Sequence, residues 1–318
     1  MFDQKFITNA ISRSAETALD RRRFFTAAGI AGAGVAGALL LGEPANASES
    51  PDHAGYQPGA PSDATILNFA LNLEYLEAEF YLRATTGYGL PDNMIGGRGR
   101  LGDVEGGRKV PFKSSFIKKV ATEIANDEKA HVGFLRAALG GAAVSRPAIN
   151  LKASFTAAAV AAGIIQPGQK FDPYADELSF LFAAFLFEDV GVTAYKGASP
   201  LIANKTYLEA AAGILAVEAY HAGIIRSTLW VLGEDTPSIY PTVQKLSDAR
   251  NSLDGPTNDD QGIGTAQMTN IVPTDANAIV YSRTPGQVLN IVYLTPSKAR
   301  SGGFFPAGVN GMLNTSGS

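Results

Sequence analysis

Four long stretches of the chain repeat apolar positions every three to four residues, the period of a helix with one buried face. Segment A covers about Ala64–Thr86, segment B about Ser114–Leu139, segment C about Pro173–Lys196 and segment D about Asn204–Leu232. Local punctuation agrees with these limits. Ser62 or Asp63 suits an N-cap for A, while Gly140-Gly141, Gly197 and Gly233 predict the ends of B, C and D. A Gly-rich loop with clustered arginines, Gly87–Pro111, joins A to B, and about thirty residues with one short helical stretch, Phe155–Ile165, join B to C. Past Gly233 the pattern weakens. Ser238–Leu253 predicts one more helix, Ala278–Tyr281 a short strand, and Thr284-Pro285 a cap and first position ahead of a helix over Gln287–Leu294. Gly302-Gly303-Phe304-Phe305-Pro306 is too apolar for a free tail and is expected to pack on the bundle.

The four stripes are not purely apolar. In B the stripe reads Ala121, Ile124, Glu128, His131, Leu135, and in D it reads Ala211, Ile214, Glu218, His221, Ile225. Positions i and i+3 share a helix face, so each Glu-x-x-His points a carboxylate and an imidazole the same way. Two of the chain's three histidines fall in this pattern. Segments A and C repeat it without histidine: Leu67, Leu71, Glu74, Ala78, Tyr81 and Leu181, Phe185, Glu188, Val192, Tyr195. Glutamate precedes tyrosine by seven residues in both, so the A–B half echoes the C–D half. An inward carboxylate is costly unless it is paired. No Lys or Arg lies on these stripes, and two divalent cations would match the four inward glutamates. Glu77, one turn beyond Glu74, is a further inward carboxylate at the position where segment C has the small Gly191, whereas Glu79 falls about 140° around the helix from Glu74 and is expected to be solvated. Asp127 and Asp189 adjoin Glu128 and Glu188 and are expected to point elsewhere on their helices.

Composition narrows the chemistry. The 318 residues contain no cysteine, which excludes disulfides, iron–sulfur clusters and thiolate zinc sites. A metal would be held by oxygen and nitrogen, a donor set that favours iron or manganese over copper or zinc. A net charge of -4 offers no electrostatic basis for nucleic-acid binding.

The first 47 residues read differently from the rest. Asp20-Arg21-Arg22-Arg23-Phe24-Phe25 precedes a soft apolar run, Ala27–Leu41, and Ala45-Asn46-Ala47 provides a small-x-small cleavage site. The apolar run is too short and glycine-rich to span a bilayer stably, so no stable membrane span is expected after cleavage. Paired arginines followed by an aromatic resemble a twin-arginine export signal, which implies the twin-arginine export machinery as a partner and a periplasmic or extracellular destination. The expected division is then signal peptide 1–47, leader 48–62, helical bundle 63–233 and C-terminal accessory region 234–318.

The order Glu, Glu-x-x-His, Glu, Glu-x-x-His resembles the ferritin-like di-iron and di-manganese carboxylate proteins. The resemblance implies an all-α fold, a ferritin-like four-helix bundle with a long B–C crossover, carrying a small mixed C-terminal region. It implies Glu74, Glu128, His131, Glu188, Glu218 and His221 as ligands of two Fe or two Mn ions, with Glu128 and Glu218 bridging. Glu77 is either a seventh ligand or a replacement for Glu74. Leu71–Tyr81 is similar to the first bundle helix of the bacterial and plant desiccation-related proteins of this class, and Tyr281-Ser282-Arg283-Thr284-Pro285 with Phe304-Phe305-Pro306 is similar to their C-terminal region. The implied chemistry is redox with O2 or H2O2, either ferroxidase-like metal oxidation or manganese-catalase-like peroxide disposal. A non-enzymatic desiccation-protective role with a structural or absent metal is the alternative, and self-association into a homo-oligomer stays open.

Overall fold

The computed structural model describes residues 61–317. The expected signal peptide and the leader up to residue 60 lie outside them. Seven α-helices are found among the described residues: α1 Asp63–Thr86, α2 Ser115–Leu139, α3 Ala153–Ala161, α4 Glu177–Ala198, α5 Lys205–Asp235, α6 Ile239–Asn251 and α7 Pro285–Val292. The four long ones form the bundle. α1 packs antiparallel on α2, with Asn68 bonded to Ala142 and Arg136 to Tyr75. α4 packs antiparallel on α5 across the short connection between Ala198 and Lys205, with Asp189 against Arg226. Tyr81 meets Glu188 while Tyr195 meets Glu74, so α1 and α4 also run antiparallel. The long α2–α4 crossover is what this arrangement demands.

Side-chain caps fix the helix starts. Ser62, Ser114, Asp176 and Asn204 each accept a hydrogen bond from a first-turn amide, a contribution of about 1 kcal/mol per cap. Asp176 therefore starts α4 at Glu177, later than the expected Pro173, which lies in a turn whose Tyr174 amide bonds Asp172. α3 starts early, at Ala153, because the Asn150 side chain accepts from the amides of Lys152, Ala153 and Ser154. α5 runs through Gly233 to Asp235. That glycine is a packing residue, since a Cβ there would strike the Tyr240 ring.

α1 and α4 are buried nearly all round, beyond the single stripes read from the sequence. Their outer faces are covered by the loops and by the C-terminal region. The α1–α2 loop pairs β1 (Val104–Glu105) with β2 (Ile149–Asn150) of the crossover, in parallel. Its anchor is Glu79, which is fully buried rather than solvated. Arg146 and Arg83 pair with its carboxylate, and the Leu90 amide bonds it. The stretches 177–201 and 205–235 are long and apolar enough, by length and composition, to cross a membrane. In this fold they are bundle helices, and the first is largely buried within the protein.

The C-terminal region is bolted to α4 and α5 by buried charge. Asp189 takes Arg226 at 2.7 Å and Arg250 at 2.8 Å, and Arg283 donates to Asp254 at 2.7 Å and to Thr193 at 2.8 Å while pairing with Asp260. Both Arg226 and Arg250 lie over the ring of Phe185, which thus faces this region and not the bundle axis. Ala278–Tyr281 is not a strand. Asp275 caps a turn through the amides of Asn277 and Ile279, and Ala278 is left-handed at φ 59°. The strands are a small hairpin, β3 Gly264–Thr265 with β4 Met268–Thr269. Thr284 caps α7 in a reciprocal bond with Gln287, and the expected packing of the tail is found. Phe304 wedges between Phe155 and Phe187 at ring separations of 4.9 and 5.0 Å. Asn310 clasps Asn72 on α1 through its amide and carbonyl, at 2.9 and 2.8 Å.

Candidate metal centre

The bundle axis carries seven ionisable side chains that meet at mid-height. α1 supplies Glu74 and Glu77, α2 Glu128 and His131, α4 Glu188, and α5 Glu218 and His221. All are buried. Their donor atoms fall into two groups, each within 4.8 Å of one another: Glu74, Glu128, His131 and Glu218 in one, Glu128, Glu188, Glu218 and His221 in the other. Glu128 and Glu218 belong to both. His131 Nδ1 lies 3.2 Å from Glu74 and 3.5 Å from Glu128, His221 Nδ1 lies 3.0 Å from Glu128 and 3.5 Å from Glu188, and the two rings are 6.4 Å apart. Glu77 joins neither group. It sits beside Gly191, where a Cβ would run into the Glu218 carboxylate and come within 3.5 Å of Glu77 Oε1.

Two tyrosines hold the outer carboxylates crosswise. The Tyr81 hydroxyl of α1 bonds Glu188 of α4, and the Tyr195 hydroxyl of α4 bonds Glu74 of α1. The seven-residue spacing within each helix thus produces a bond between helices. Asp127 points away from the carboxylates, as its position requires, yet is not idle. Its half-exposed carboxylate lies 3.2 Å from His221 Nε2, which leaves Nδ1 facing the cluster. No equivalent acid serves His131, since the residue before Glu218 is Val217. The Asp127 contact, the Glu79 anchor and the Arg–Asp bolt escape a reading of the sequence alone. Only the bolt leaves a trace there, as an arginine one position from the D stripe.

The electrostatics are those of concentrated negative charge in a dry place. Burial raises Glu74 to about 7, with His131 opposing and Glu128 adding to the rise. Burial and the neighbouring carboxylates push Glu77 and Glu218 well above the usual range and Glu188 upward. Burial would raise Glu128 too, but the two imidazoles facing it outweigh burial and hold that carboxyl low. Burial opposes charge on the imidazoles, yet Glu74 and Glu128 raise His131 to about 10, and Glu188 and Glu128 raise His221 to about 12. Without a cation, the cluster is neutralised by protons.

A test of fit for metal lies in the unsatisfied atoms. Both oxygens of Glu128, both of Glu218, Glu188 Oε2 and His221 Nδ1 are buried with no hydrogen-bond partner. Buried polar atoms are nearly always satisfied, and these six converge on the two donor groups. The residues fit a pair of divalent ions bound through oxygen and nitrogen.

Comparison with known proteins agrees with the architecture. The family described as ferritin-like domain matches residues 62–230. Over 273 residues the chain is 30% identical to the ferritin-like catalase Nec2 of Nesocodon mauritianus, an overlap of 79% of this chain and 85% of that protein. Over 270 residues it is 29% identical to the desiccation-related protein PCC13-62 of Craterostigma plantagineum, covering 79% and 83%. No solved structure matches it. With its four-helix bundle, its buried Glu and His cluster and these relatives, the chain belongs to the ferritin-like domain family, in company with the desiccation-related proteins.

Proposed function

We propose that the cluster binds two iron or two manganese ions and that the loaded protein disproportionates hydrogen peroxide, 2 H2O2 giving O2 and 2 H2O. The observation carrying this reading is the pair of four-donor groups sharing Glu128 and Glu218, with six buried donor atoms otherwise unsatisfied. Glu74 and His131 would hold one ion, Glu188 and His221 the other, and Glu128 and Glu218 both. The bound pair would supply the two-electron redox capacity that the protein's side chains lack. The side chains do the rest. Tyr81 and Tyr195 fix the outer carboxylates, Asp127 orients His221, and Glu77 stands beside them as a buried carboxyl outside both donor groups. Peroxide is preferred over metal oxidation by O2 because one relative is named a ferritin-like catalase.

Elemental analysis and an oxygen-electrode assay test this together. The parent should carry two equivalents of metal and evolve O2 from peroxide, and a Glu128→Ala/His221→Ala variant should do neither. A loaded parent that consumes O2 with ferrous iron but leaves peroxide intact would replace peroxide disposal by metal oxidation. A parent that stays empty after reconstitution would leave the non-enzymatic, desiccation-protective role. We also propose that this chemistry takes place after export, on the strength of Arg21-Arg22-Arg23-Phe24-Phe25 and Ala45-Asn46-Ala47. N-terminal sequencing of the exported protein should begin at Ser48, and an uncleaved, wholly cytoplasmic product would sink that part.

A further inference from the structure

The donor cluster is shut off from solvent unevenly. Glu74, Glu128 and Glu218 are 0% exposed, whereas Glu77 keeps 6% on the α1–α4 side and His131 and His221 keep 8% and 4% on the α2–α5 side. What Glu77 faces is a cleft of about 20 Å³ in the seam between α1 and α4. Its inner end is formed by Glu77 and Gly191, the glycine whose missing side chain leaves room for the Glu218 carboxylate behind it. Its walls are apolar: Leu76, Phe187 and Val190 from the bundle, and Ile291, Val292 and Phe304 from the C-terminal region. A second cleft, of about 50 Å³, lies over the Arg–Asp bolt, but no donor of the cluster lines it.

Resting on the metal reading above, we propose that the α1–α4 cleft is the port through which the substrate reaches the site, and that it admits small uncharged molecules. The size follows from the volume, which suffices for one water-sized molecule. The charge preference follows from apolar walls ending on a crowd of carboxylates, where an anion meets both desolvation and repulsion. Hydrogen peroxide and O2 meet both conditions. The port also gives α7 and Phe304 a role beyond packing, because the C-terminal region provides three of its ten lining residues and helps set its bore.

Two readouts that do not depend on turnover test the port. Val190→Ile/Val292→Ile adds two methylenes to the cleft without touching a donor residue, and Val292→Ala widens it. Crystals of the parent under xenon should show the gas in the α1–α4 cleft, and crystals of the filled variant should not. Nitric oxide, an uncharged diatomic, should associate with the iron(II)-loaded filled variant at least tenfold more slowly than with the parent, at equal metal content. It should associate faster with Val292→Ala. If overpacking unfolds the double variant, Val292→Ile alone should show the same direction. Equal nitric oxide rates in parent and filled variant would overturn the port and send traffic to the α2–α5 side, where His131 and His221 are 8% and 4% exposed. Absence of peroxide turnover, with the xenon and nitric oxide results as expected, would sink the catalase reading and leave the port standing. A chain that takes up no iron would overturn both.

Discussion

At the scale of single residues, the site depends on groups that orient ligands as much as on the ligands. Asp127 is the clearest case. Its contact with His221 Nε2 fixes the ring that turns Nδ1 to the cluster, and it is half-exposed, so its removal need not disturb the core. Asp127→Ala is expected to weaken binding of the second metal equivalent by about 10- to 100-fold, the usual effect of losing such a partner. Calorimetric titration with manganese(II) would measure it, and an unchanged melting temperature would confirm that the fold survived. Unchanged affinity would show that packing alone holds the ring. The sequence exposes the glutamates and histidines because helical period reports direction, and direction is all that convergence on an axis requires. It conceals Glu79, whose partner Arg146 is 67 residues away. Rotation about the helix places Glu79 off the donor face correctly, but only the returning crossover decides that the outer face is covered.

At the scale of elements, the C-terminal region shows where pattern reading stops. Its capped helix α7 and its apolar tail are legible because a cap motif and a hydrophobic run are local. Ala278–Tyr281 is misread as a strand because an apolar run has no pairing partner there, and the Asp275 side chain closes a turn instead. Gly233 is misread as a stop because the ring it accommodates, that of Tyr240, belongs to the next helix. Beside the Phe304 wedge and the Asn310 clasp, buried ion pairs join the region to the bundle. Arg283 pairs with Asp254 and Asp260 and bonds Thr193, all buried. Arg283→Ala leaves the buried Asp254 carboxylate without its cation, while Asp260 keeps Arg250 at 2.9 Å, and is expected to cost about 3–5 kcal/mol. Urea unfolding would read the loss. A loss under about 1 kcal/mol would mean that water enters and replaces the guanidinium.

At the scale of the whole molecule, the cluster ties stability to pH and to metal. Glu74, raised to about 7 from 4.5, and His131, raised to about 10 from 6.5, both bind protons more tightly folded than unfolded. Stability of the metal-free protein therefore falls with rising pH. The Glu74 penalty is absent below 4.5 and grows through about 7. The His131 contribution is full below 6.5 and is lost as pH rises through about 10. Glu128, held low, gains between its folded value and 4.5, below this window. Calorimetric melting temperatures of the metal-free protein should drop from about pH 5 to about pH 9. Those of the loaded protein should not, because cations take over the protons' role and their binding releases protons. A metal-free melting temperature that rises across this range would contradict the proton-neutralised cluster.

Neither helical hairpin owns a complete set of donors. The first group takes Glu74, Glu128 and His131 from α1–α2 and borrows Glu218 from α5, and the second takes Glu188, Glu218 and His221 from α4–α5 and borrows Glu128 from α2. The tyrosine bonds cross the same boundary in both directions. The two hairpins thus resemble halves of a split reporter: each carries most of one signal, and neither can give it alone. With the proposed ions bound, metal affinity would be a gauge of how well the halves have docked, and a defect far from any ligand would be read first as a lost ion.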